Sequence, residues 1–131
     1  MQQTITIGQI EDTIAKKVTQ FYSQTIGHGP QETRAYVLAD MVIIRLKGKL
    51  LPLEERLLEN KQGVGLVKNI REMLHEVLTK KLNAIVKEIT NHQVLSSHSD
   101  ISTRTGEMVE IFVLDTNYEL ELKTRMAENK G

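Results

Sequence analysis

In the first quarter of the chain the apolar residues fall at Ile10, Ile14, Val18 and Phe21, with Thr25 next on the same side. Steps of four, four and three place them on one stripe, which predicts a helix from about Gly8 to Thr25. Glu11 and Asp12 near its start, and Lys16 and Lys17 further along, suit the helix dipole. Gly27-His28-Gly29-Pro30 then stops it, because glycine takes left-handed cap geometry and proline cannot continue the turn.

From Thr33 to Lys47 the period changes. Tyr36-Val37-Leu38 and Met41-Val42-Ile43-Ile44-Arg45-Leu46 are β-branched and aromatic runs broken at Ala39-Asp40. They predict a hairpin, although Ala-Asp is not a favoured turn pair. Gly48 closes the second strand, and Pro52 suits the first position of a short helix over Leu53 to Asn60 that ends near Gly63.

The longest periodic segment follows. Leu66, Val67, Ile70, Leu74, Val77, Leu78, Leu82, Ile85, Val86 and Ile89 recur at three- and four-residue spacing. They predict one amphipathic helix of about six turns that organises the core. Gln93 to Ile101 and Glu107 to Leu114 read as two further strands, joined by a polar turn ending at Gly106. Beyond Tyr118 the chain is charged and reads either as a short helix at Leu120 to Lys123 or as disorder.

The order helix, two strands, two helices, two strands predicts an α+β fold. Its expected form is a four-stranded, mainly antiparallel sheet with the helices on one face. One domain is expected over residues 1–118, with a charged tail at 119–131. Sheet edges are expected at the hairpin and at the last strand, and edges need covering. Together with the broad apolar stripe of the long helix, they predict a homodimer.

Composition narrows the chemistry. With no Trp, two Phe and three Tyr, the core must be built from Leu, Ile and Val. The absence of cysteine excludes disulfides, thiolate metal sites and cysteine nucleophiles, and fits a reducing cytoplasm. Seventeen basic and seventeen acidic side chains cancel, so the excess charge of a duplex binder is missing and no nucleic-acid partner is expected. Met1-Gln2-Gln3-Thr4 lacks the basic start and apolar stretch of a signal peptide. The longest apolar run in mid-chain, Met41 to Ile44, is far short of the ~20 residues that span a bilayer. Contact with a membrane is therefore expected to be peripheral or through a partner.

At this point a family pattern is visible. Gly27-His28-Gly29-Pro30, Thr33-Arg34-Ala35-Tyr36, Asp40 before Val42-Ile43-Ile44, and Gly48-Lys49-Leu50-Leu51-Pro52-Leu53-Glu54 stand in an order that resembles the bacterial MpsC-type family. The likeness continues through Leu66-Val67 and Arg71 to Glu110-Ile111-Phe112-Val113-Leu114, covering about residues 8 to 115. The resemblance implies a soluble component of a membrane-potential-generating system that is also linked to inorganic-carbon uptake. An integral-membrane transport subunit is the partner it implies, and it implies no reaction. The chain departs from the family at His28, where Arg is common, and at Leu51, where Thr or Ser is.

Candidate site residues have both functional and structural readings. The Gly27–Pro30 turn could cradle an anion through its backbone N–H groups. A helix C-cap is preferred, because the dipole draws anions to N-termini and His28 suits a last turn. Arg34 could grip a carboxylate or bicarbonate-like ligand with its fork of donors, or pair with Asp40 or Glu55 at the sheet edge; the pair is preferred. Arg71 beside Arg34 would strengthen an anion site formed with His28. His92, His98 and Asp100 match no metal-ligand spacing, so no metal is expected. Ser96, Ser97 and Ser99 lack flanking nucleophile-elbow glycines, and Gly63-Val64-Gly65 is too short for a phosphate loop. No catalytic residue and no cofactor is nominated. The sequence favours a non-catalytic cytoplasmic accessory or regulatory protein over a dimeric anion sensor.

Overall fold

Helix α1 (Ile7–Ile26) opens at a capping box: Thr6 Oγ1 accepts the Gln9 N–H at 3.1 Å, and Gln9 Oε1 accepts the Thr6 N–H at 2.8 Å. It closes at Gly27, whose left-handed φ of 79° lets its N–H donate to the Ser23 carbonyl at 3.0 Å. Strands β1 (Glu32–Leu38) and β2 (Met41–Lys47) follow as a hairpin. Then come α2 (Lys61–Thr90), β3 (Val94–Ile101), β4 (Met108–Leu114) and α3 (Tyr118–Lys130). The computed structural model describes residues 5–27, 29–48, 56–102 and 104–130, without the side chains of Ile26, Arg71, His75, Asn129 and Lys130. Of the short helix expected over Leu53 to Asn60, Leu53 to Glu55 lie outside the described residues, as does Pro52; residues 56–57 are helical.

The fold is α+β with one antiparallel four-stranded sheet in the order β1-β2-β4-β3. The expectation that the last strand is an edge is overturned: β4 lies between β2 and β3, and the edges are β1 and β3. The reason is in the side chains. β4 is apolar on both faces, with Met108, Phe112 and Leu114 buried and Val109, Ile111 and Val113 half-buried. β3 carries three serines, which tolerate an edge. The pairing register shifts between Val94 and Ser96, and Leu95 between them is exposed.

The helices share one face of the sheet. Ile14 and Val18 of α1, Leu82 and Val86 of α2, and Leu122 of α3 meet Val37, Val42, Ile44 and Phe112 of the strands in a single core. The C-terminal segment is therefore a helix with a core-facing side: Tyr118 and Leu122 are each only 2% exposed. Its first turn also latches the hairpin. Glu119 Oε1 accepts the Ala39 N–H at 3.0 Å, and the Glu119 N–H donates to the Ala39 carbonyl at 3.1 Å.

Helix α2 differs from the single stripe read in the sequence. Val67, Leu78, Leu82 and Val86 are buried, but Leu66, Ile70, Met73 and Val77 are exposed. At its start Asn60 caps the helix by accepting the Gly63 N–H at 2.7 Å. Gly63 has to be glycine, because a Cβ there would overlap the Leu57 carbonyl. At its end Asn91 takes the left-handed cap conformation, with φ of 60°.

Candidate functional site

Alternation along the strands gives the sheet two faces, and the described helices cover only one. On the other face the register sets side chains in rows across the sheet. One row is Leu38, Met41, Val113 and Ser96; the next is Tyr36, Ile43, Ile111 and His98; the third is Arg34, Arg45, Val109 and Asp100. Tyr36 is 38% exposed and Leu38 50%, and the apolar residues of the two central strands on this face, Met41, Ile43, Val109, Ile111 and Val113, are half-buried. The result is an apolar field with a charged border at one end.

That border is built of ion pairs. Register sets Arg34 and Arg45 directly opposite, a like-charge pairing that costs stability unless each charge is answered. Arg45 is answered by Glu107 through two hydrogen bonds, Nε to Oε1 at 2.8 Å and Nη2 to Oε2 at 3.2 Å. Arg34 is answered by Glu32, Nε to Oε1 at 2.6 Å. The Glu107 carboxylate and then the Tyr36 hydroxyl push the Arg45 pKa up, and the Arg45 hydrogen bond holds Glu107 below the usual carboxylate range. The Arg34 hydrogen bond likewise holds Glu32 down.

These pairs bear on one expectation, a pair of Arg34 with Asp40 or Glu55. Arg34 engages Glu32, two residues away on its own strand, and not Asp40, which sits in the hairpin turn and receives the Leu114 N–H on its carbonyl at 2.7 Å. The proposed alternative partner Glu55, like His28, lies outside the described residues, as does the side chain of Arg71. An anion at Arg34 would have to compete with the Glu32 carboxylate.

His92, His98 and Asp100 do not come together. His92 sits before β3 between two carboxylates, Nδ1 at 3.2 Å from Asp115 and Nε2 at 2.8 Å from Glu121, with its ring edge-on to Tyr118. His98 lies on the outer face beside Ile111, and Asp100 reaches Lys68 at 3.5 Å. Among the described residues no group of three or more His, Asp or Glu side chains could hold a metal ion.

Sequence reasoning missed one residue with unusual chemistry. Glu110 is fully buried on the core face of β4, where its Oε1 accepts the Tyr22 hydroxyl at 3.2 Å. Alternation with Phe112 and Leu114 was the available signal. A separate groove of about 420 Å³ runs between α1 and α2, lined by Lys17, Gln20, Phe21, Lys81, Ile85 and Glu88 among others. No described helix is long and apolar enough to cross a membrane.

The fold defines a two-layer α+β domain whose described helices leave one sheet face uncovered, an apolar surface bordered by arginine–carboxylate pairs. By sequence the chain belongs to the MpsC family, whose profile, described as a Na+-translocating membrane potential-generating system, matches residues 6–116. It is 37% identical over 116 residues to the uncharacterized protein YbcI of Bacillus subtilis (strain 168), an alignment covering 88% of this chain and 94% of that protein. No solved structure matches the chain.

Proposed function

We propose that this protein is a non-catalytic accessory or regulatory subunit that docks, from the cytoplasmic side, onto an integral-membrane component of a membrane-potential-generating ion transport system. The observation that carries this reading is the outer face of the sheet, which none of the described helices covers. An apolar centre with a charged border is the anatomy of a protein interface, and Tyr36 and Arg45 are of the residue types that anchor interfaces most often. Family membership supplies the setting. No described helix is long and apolar enough to cross a membrane, and in this reading the partner subunit supplies the span.

Capture from gently solubilised native membranes tests it. A tagged wild-type chain should recover an integral-membrane ion-transport subunit identified by mass spectrometry. A Tyr36→Ala/Ile111→Glu variant, circular dichroism unchanged, should lose it. Recovery of no membrane protein by the wild type, or equal recovery by the variant, would sink the reading.

A further inference from the structure

Four apolar side chains of α2 lie off the core. Leu66 is 47% exposed, Ile70 38%, Met73 65% and Val77 76%. Their spacing of four, three and four is the a/d alternation of a coiled-coil heptad, with Ile70 and Val77 at a and Leu66 and Met73 at d. At 1.5 Å per residue the stripe runs about 16 Å along the helix. It is bounded before Leu66 by Gly63, where the Leu57 backbone crosses the helix, and after Val77 by the charged Lys80.

The heptad also says what kind of partner fits. β-branched residues at a with unbranched or γ-branched residues at d favour two parallel strands. In a parallel pair a g residue faces the e residue of the next heptad on the other helix. Here that sets exposed Glu76 against exposed Lys81 of the second copy, twice by symmetry. In the antiparallel alternative, centred between residues 71 and 72, g faces g, so Glu76 falls opposite Asn69 and finds no cation. The helix is already held by the core through Leu78, Leu82 and Val86, so pairing does not have to bear the cost of forming it.

We infer that α2 pairs with α2 of a second copy of this chain, parallel and in register, along Leu66, Ile70, Met73 and Val77. This surface is separate from the outer sheet face, so the dimer can carry two docking faces.

The chain has no cysteine, so a single introduced thiol reports the geometry. Light scattering over a dilution series should give twice the chain mass of 14.9 kDa for the wild type. Met73→Cys, under mild oxidant, should form a homodisulfide quantitatively. Val77→Glu, at a site already open to water, should keep its circular dichroism and weaken the dimer at least about 100-fold. A single-chain mass throughout the series overturns the inference. So does a dimer insensitive to Val77→Glu, which would place the interface elsewhere. Crosslinking of a Leu66→Cys chain to a Val77→Cys chain in place of the Met73→Cys homodisulfide would show the antiparallel pair and also overturn it.

Discussion

The Tyr22 hydroxyl donates to Glu110 Oε1 at 3.2 Å inside the core, joining α1 to the central strand β4. Both residues are buried, Tyr22 at 7% exposure and Glu110 at 0%. A carboxyl group in such a place is held by its hydrogen bonds. Removing one donor costs more than the bond's net worth, because the remaining oxygen stays out of water. Tyr22→Phe should therefore lower stability by about 1–3 kcal/mol. The check is a urea titration in which the midpoint falls and the slope stays constant.

Ala39 occupies the left-handed region, with φ of 53°, in the two-residue turn between β1 and β2. That conformation costs an L-residue about 1–2 kcal/mol, which glycine avoids at some entropic expense. Ala39→Gly should raise the thermal midpoint, a gain of up to about 1 kcal/mol. A lower midpoint would mean that the Glu119 latch already relieves the strain.

The same latch makes acid stability depend on Glu119. The Ala39 N–H, and after it Lys123, hold the Glu119 carboxyl below its ordinary value of 4.5. The folded state therefore binds fewer protons than the unfolded state in this range, and stability rises with pH there. The contribution is present above about pH 4.5 and is lost as pH falls through the lower folded value. Glu119→Gln should be less stable than wild type near neutrality, with the two curves converging at more acid pH. Parallel curves would refute the assignment.

Gly63→Ala should cost about 1–3 kcal/mol, since the new methyl overlaps backbone that has no side-chain freedom to yield. Gly65→Ala is the control two residues on, where a Cβ meets nothing within 4 Å. Helix propensity alone should make that variant slightly more stable. Thermal unfolding of the pair separates close approach from propensity.

Arg45 answers Glu107 across the outer face, where their side chains are 40% and 22% exposed. Ion pairs partly open to water contribute at most about 1 kcal/mol to folding. Arg45→Met should leave the thermal midpoint nearly unchanged while reducing capture of the membrane partner, measured side by side with wild type.

Much of the fold was legible because periodicity records which face of an element meets the core. The stripe Ile10, Ile14, Val18 and Phe21 marked α1 to within a residue of Ile7–Ile26. The Ala39-Asp40 break marked the hairpin turn against the usual turn preferences, since the flanking runs were strong. The capping box of Thr6 and Gln9 was also written in the chain but went unread. What periodicity mixed together was α2. Leu66 and Val67 are neighbours in sequence but point about 100° apart on the helix, and only Val67 reaches the core.

By itself the sequence determined the α+β class, the first helix, the two hairpin strand pairs and the long helix between them, the family and an aliphatic core without cysteine chemistry. These depend on local propensity and on the period of apolar residues, which one chain carries in full. Only the tertiary structure decided that β4 is central and that Glu110 lies buried beside Tyr22. It also decided which side of the sheet the helices leave bare. Each of these is a matter of which surface meets which across long stretches of chain, and a two-sided apolar strand or helix does not declare its neighbours until the layers pack.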